Sequence, residues 1–120
     1  MTTINLAAFA FTTSTPDTRP AFARAGGSWR VAHADRTADA IRDADPVLFD
    51  DVYCTYASDH GDHLRLWLGF VDNADPYDHA ARLRELARRI ARDGVSVRPA
   101  RDRGDRIVGL YLVDAQPRRA

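Results

Sequence analysis

The stretch Asp75-Pro-Tyr-Asp-His-Ala-Ala-Arg-Leu-Arg-Glu-Leu-Ala-Arg-Arg-Ile-Ala-Arg-Asp-Gly94 decides the fold. Asp75 is a good N-cap, Pro76 suits the first helical position, and Asp78 places negative charge in the first turn. Leu83, Leu86, Ala87 and Ile90 fall on one stripe, while Arg82, Arg84, Glu85, Arg88, Arg89 and Arg92 lie away from it. The spacings Asp78–Arg82 and Glu85–Arg89 add support between successive turns. Gly94 supplies a left-handed exit. These signals predict a long amphipathic helix over residues 76–93.

A hairpin is predicted on each side of that helix. Asp59-His60-Gly61-Asp62 and Asp102-Arg103-Gly104-Asp105 share a D-x-G-D pattern, which suits a three-residue loop with a left-handed glycine beside a bulge. In the first hairpin this turn pairs Tyr56 with Leu64, Cys54 with Leu66 and Val52 with Leu68 on an apolar face. The opposite face pairs Thr55 with Arg65 and Tyr53 with Trp67. A slip of one residue would mix the two faces. In the second hairpin the same turn places Ile107, Gly109 and Tyr111 on one face, and Val108 and Leu110 on the other. Pro99 has no N–H for a ladder, so its strand belongs at an edge and the strand after Ile107 lies further in.

The first third carries weaker signals. Ile4 to Thr12 reads as a buried strand, Ala21 to Ala25 as a helical turn or two, and Trp29 to Ala34 as a short strand. Thr37 to Ala44 reads as a short helix stopped by Pro46, and the tail from Gln116 as frayed. Apart from the shared turn, no internal repeat stands out. The expected class is therefore α+β. Two hairpins and one or more N-terminal strands build a mainly antiparallel sheet with the long helix across one face, and a ferredoxin-like arrangement is one packing that fits.

A chain of 120 residues with 45% apolar content is sized for one domain, over residues 1–120, without help from disulfides or metals. The single cysteine, Cys54, points to a reducing compartment, and a cytoplasmic location is expected. The early apolar run from Leu6 to Phe11 is far shorter than the about 20 residues of a membrane span, and no basic residue precedes it as in a secretory signal. All 17 cationic side chains are arginine, as a GC-rich coding sequence produces. The absence of lysine excludes a Schiff-base lysine and a GxxxxGK[ST] phosphate loop. No G-x-S-x-G, G-x-G-x-x-G, H-E-x-x-H or C-x-x-C is present.

The net charge is zero, but the charges are segregated. Eleven aspartates face three arginines between Asp35 and Asp78, and nine arginines face four acids between Arg82 and Arg106. Such asymmetry marks either a polar partner surface or two halves of one fold neutralising each other.

Four constellations carry potential chemistry. His60 and His63, with Asp59 and Asp62, have the donor types of a metal site, but a tight turn aims such side chains apart. They are weak metal candidates, and no metal or cofactor is expected. Asp50 and Asp51 are strand neighbours that face opposite ways and do not act on one substrate together. Cys54 falls on the predicted core face and reads as a buried hydrophobe. Arg103-Gly104-Asp105 matches an adhesion tripeptide by chance.

Candidate partner-binding residues are Tyr53 and Trp67 on the sheet face away from the long helix, with Val108, Leu110 and Leu112 beside them. Arg88, Arg89 and Arg92 form a second candidate surface. The reading is a small non-enzymatic interaction or regulatory protein. It would contact another protein or a second copy of itself, as a homodimer, with no membrane partner. The alternatives are a nucleic-acid-binding protein using the arginine-rich helix and C-terminal hairpin, and a small ligand-binding domain or enzyme with a pocket between sheet and helices.

Overall fold

The computed structural model describes residues 3–6, 28–60 and 63–114. Its elements run in the order α1 (Ser28–Ala44), β1 (Val52–His60), β2 (His63–Phe70), α2 (Pro76–Arg89), β3 (Val95–Arg101) and β4 (Ile107–Asp114). The class is α+β. The four strands form one antiparallel sheet in the order β1-β2-β4-β3, so the second strand of each hairpin lies in the middle. A helix–strand–strand unit thus occurs twice, a repeat that the sequence expresses little beyond the shared turn.

Both helices cover the same face of the sheet. Ala34, Ala38 and Ile41 of α1 and Ala80, Leu83 and Leu86 of α2 join one core with Val52, Cys54, Leu66, Leu68, Leu110 and Leu112. Helix α1 packs on β1 and α2 on β4. Alternate residues of the strands therefore point into the core, and the intervening ones form an outer face that neither helix covers.

Helix α2 begins as the sequence predicts. The Asp75 carboxylate accepts hydrogen bonds from the N–H groups of Tyr77 (3.0 Å) and Asp78 (3.3 Å). It ends earlier than expected, at Arg89, because Ile90 turns extended and forms a parallel bridge with Ile4. The Ile4 N–H donates to the Arg89 carbonyl and the Ala91 N–H to the Ile4 carbonyl, both at 2.8 Å. Buried Ile90 keeps its place in the core by this strand-like contact, and Arg92 follows outside the helix. Gly94 has φ 76°, the left-handed turn expected of it.

Helix α1 replaces two of the expected elements. Trp29 to Ala34, read as a strand, is helical and continuous with the segment 37–44. The buried positions Ala34, Thr37, Ala38 and Ile41 follow the three-and-four spacing of a helix, and small residues there let α1 lie close to β1. The short apolar–polar alternation before Ala34 imitated a strand. Of the expected strand Ile4–Thr12, residues 4–6 are described; Ile4 and Leu6 are buried. Thr12, Ala21–Ala25 and the tail from Gln116 lie outside the described residues.

Both hairpin registers differ from those the turns predicted. In the first, His60 pairs with His63 and the irregularity sits between Tyr56 and Ser58. Two residues, not three, separate the strands, so Cys54 pairs with Leu68 and Val52 with Phe70. Over Val52–Tyr56 the shift is two places, which keeps Val52, Cys54, Leu66 and Leu68 on the core face and Tyr53, Thr55, Arg65 and Trp67 on the outer one; past the irregularity the shift is three. In the second, Arg101 pairs with Ile107 across a five-residue loop, followed by a bulge at Val108. The Asp102 carboxylate closes that loop by accepting from the Gly104 N–H (2.9 Å) and the Arg106 N–H (3.0 Å), and Asp105 takes the left-handed conformation at φ 65°. This odd shift turns β4 over relative to expectation. Leu110 and Leu112 lie in the core, and Tyr111 faces outward. Pro99 does lie on an edge strand, β3.

Candidate functional site

The outer face of the sheet carries an aromatic layer laid over glycines. Tyr53 pairs with Gly69, and its ring occupies the space a β-carbon at Gly69 would fill. Trp67 pairs with Thr55 on one side and Tyr111 on the other, and its indole lies across Gly109, where a β-carbon would overlap the ring. The expected Tyr53–Trp67 pair is therefore a diagonal one. The two side chains still meet, through a long hydrogen bond of 3.4 Å from the Trp67 Nε1–H to the Tyr53 hydroxyl. Trp67 and Tyr111 pack edge to face with centroids 5.1 Å apart, and the Arg65 guanidinium lies 4.2 Å from the Tyr111 ring centre.

Charge on this face has one sign. Arg65 and Arg98 are its charged residues among the described side chains; the remaining positions are aromatic, glycine, alanine, serine, threonine and valine. Tyr53 is 37% exposed, Arg98 is exposed, and Trp67, Tyr111 and Arg65 are half-buried. Sequence reasoning placed Tyr53, Trp67 and Arg65 on this face. It missed Tyr111 because it read β4 in the opposite phase. The glycines at 69 and 109, each facing a large aromatic, were the available signal.

The arginines of α2 have a different setting. Arg82 donates to the Asp51 carboxylate at 2.5 Å and to the Leu48 carbonyl at 2.7 Å, with its guanidinium 3.9 Å from the Phe70 ring centre. Arg89 bridges Asp45 (2.7 Å) and Glu85 (2.9 Å) beside Phe49. Arg88 pairs with Glu85 at 2.6 Å, and Arg92 donates to the Ile90 carbonyl at 2.7 Å. The segregated charges thus meet across the fold: Arg82 and Arg89 from the basic half hold Asp51 and Asp45 from the acidic half. The pKa of Asp45 is lowered, first by the Leu48 N–H and then by Arg89. Of the helix arginines considered as partner-binding, Arg89 is committed to intrachain carboxylates, whereas Arg88 and Arg92 are exposed.

The remaining candidates carry little chemistry. The side chains of His60 and His63 lie outside the described residues, and among the described residues no group of three or more His, Cys, Asp or Glu side chains is placed to hold a metal. Cys54 is buried, and desolvation, reinforced by Asp35, raises its thiol pKa far above neutrality. Asp51 is held by Arg82 and by the Asp72 N–H (2.8 Å), and the exposed Asp50 comes within 3.8 Å of the same guanidinium; the two precede β1 and do not splay apart as strand neighbours would, and both are matched to Arg82. Arg103-Gly104-Asp105 lies in the exposed β3–β4 loop. His79 is buried against Phe70 with its Nε2 unpartnered. Burial and then Arg82 lower its pKa, which keeps the ring neutral. A groove lies outside the sheet–helix core, between residues 3–5 and α1, lined by Ile4, Asp39, Ala40 and Asp43 among others.

No family model, no curated protein and no solved structure matches this chain. Among the described residues no helix is long and apolar enough to cross a membrane.

Proposed function

We propose that this protein is a non-enzymatic interaction module that engages a protein partner through the outer face of its sheet. The observation that carries the reading is the aromatic layer of Tyr53, Trp67 and Tyr111 on the face opposite both helices. Large aromatics and arginine are the side chains most enriched at the energetic centres of protein interfaces. Here glycines at 69 and 109 hold the rings down on the sheet, so they are pre-positioned and lose little freedom on binding. The described groups with catalytic potential are quiet by comparison: the Cys54 thiol is buried and protonated, and Asp51 is occupied by Arg82.

The arginine helix supports nucleic-acid binding less well, because Arg82 and Arg89 are matched by aspartates of the same chain. A cytoplasmic regulatory role remains compatible with this build.

The test is affinity capture from the native host with wild type, Trp67→Ser and Gly109→Ala. Gly109→Ala adds only a methyl group, but it lifts the Trp67 ring from the sheet at a cost of about 1–3 kcal/mol in folding. Both variants are expected to remain folded by circular dichroism and to lose a partner that wild type and Arg84→Ala retain. A partner held equally by all four proteins assigns the contact to another surface. Sedimentation at several concentrations separates a foreign partner from a second copy, since a modest interface of roughly micromolar affinity is populated at about 100 µM.

A further inference from the structure

We infer that the outer face receives an acidic, extended segment of a different protein, not a second copy of this chain. The inference rests on the outer face being the contact surface, and it adds the chemistry of the partner. Among the described side chains this face bears Arg65 and Arg98 and no carboxylate. The arginines at 42, 82, 88, 89, 101 and 106 each have a carboxylate of the chain within 4 Å. No described carboxylate lies that close to Arg36, Arg65, Arg84, Arg92, Arg98 or Arg103, and of these Arg65 and Arg98 stand on the outer face. The former rests on the Tyr111 ring, and the latter stands exposed on edge strand β3. Two such faces brought together would oppose four guanidinium groups with no described carboxylate between them, which disfavours a face-to-face dimer.

The layout of the face sets the pattern of the segment. Arg65 on β2 and Arg98 on β3 are separated by β4 and offset by two residues, since Arg65 is opposite Val113 and Arg98 opposite Tyr111. Strand spacing of about 4.8 Å and a rise of about 3.4 Å per residue put their α-carbons about 12 Å apart. In an extended segment, side chains at i and i+4 point the same way about 13 Å apart, with i+2 between them. Carboxylates at i and i+4 reach the two guanidinium groups, and an apolar side chain at i+2 falls on β4 between Val113 and Tyr111, whose ring packs against Trp67. A nucleic acid strand fits less well. Two arginines neutralise few phosphates, and the loops at the Tyr53 end of the sheet expose Asp50, Asp72 and Asp75 against a continuing polyanion.

The experiment titrates a Trp29→Phe variant, in which Trp67 is the sole indole, with a synthetic peptide of pattern Glu-Ser-Leu-Ser-Glu. The same peptide with lysine for glutamate and an oligothymidylate of equal charge serve as comparisons. Saturable change of Trp67 emission with the glutamate peptide is expected. It should weaken at least tenfold in Arg98→Ala, in Arg65→Gln/Arg98→Ala and at 0.5 M salt. Equal response to the lysine peptide, tighter response to the oligonucleotide, or no response to any probe overturns the inference. So does a wild-type dimer at about 100 µM that Trp67→Ser converts to monomer. A host partner lost in Trp67→Ser but kept in Arg65→Gln/Arg98→Ala sinks the acidic segment alone. A partner kept in both removes the outer-face reading beneath it.

Discussion

Leu86→Ala is expected to destabilise the protein by about 2–5 kcal/mol, the cost of a cavity where a leucine is fully enclosed. Leu86 is 0% exposed and shares its environment with Leu83 of the same helix and the core leucines of β2 and β4. Helix α2 contributes a narrow stripe to this core, so the neighbouring backbone has little freedom to collapse into the gap. Arg84, two residues earlier, is exposed, and Arg84→Ala should change stability by less than about 0.5 kcal/mol. Urea denaturation of the two variants measures both numbers. Equal losses would mean that the stripe facing the sheet is not the one through Leu83 and Leu86.

Local signals read correctly wherever the backbone's own chemistry decided the outcome. The Asp75 cap, Pro76 and the Leu83–Leu86 stripe defined α2, and Pro99 marked an edge. Register was the point of failure. The D-x-G-D turns look alike, yet the first leaves two residues between paired histidines, whereas the second opens to five under the Asp102 carboxylate. In the second, loop length and bulge position depend on these side chain to backbone hydrogen bonds, which a turn pattern does not encode. Over Val52–Tyr56 of β1 the error was even and harmless to the faces. In β4 it was odd, and it exchanged Leu110 and Leu112 for Tyr111 on the outer face. The end of α2 was missed for a related reason: its extended partner, Ile4, is more than eighty residues away. Two of the three aromatics of the candidate site, Tyr53 and Trp67, were therefore legible as residues on one face. Its rings-over-glycine construction needed the neighbouring strands in place.

The charge segregation acquires a physical meaning in the contact between Arg82 and the loop before β1. That loop must cross from α1 to the sheet, and the guanidinium fastens it at the Leu48 carbonyl and the Asp51 carboxylate while stacking on Phe70. Asp51 in turn accepts from the Asp72 N–H after β2, so one ion pair ties three segments. With Arg82 14% and Asp51 22% exposed at the side chain, the pair is shielded but not dry. Arg82→Met, which keeps most of the packing on Phe70, should cost about 2 kcal/mol, less than the roughly 3–5 kcal/mol of stranding a fully buried charge. Asp51→Asn should cost a similar amount, and the double variant clearly less than the sum, because the second change removes the charge the first one stranded. Acid provides an independent reading. Burial tends to raise the Asp51 pKa, but Arg82 and the Asp72 N–H outweigh it and hold the folded value below that of a free aspartate. The folded state then releases the proton more readily than the unfolded state. This contribution is complete above the unfolded aspartate pKa of about 3.9 and is lost as pH falls through the folded value. The stability gap between wild type and Arg82→Met should accordingly narrow between about pH 5 and pH 2 in chemical denaturation series. A gap unchanged over that range would show that Arg82 stabilises the loop by packing and its bond to Leu48, with Asp51 as a bystander.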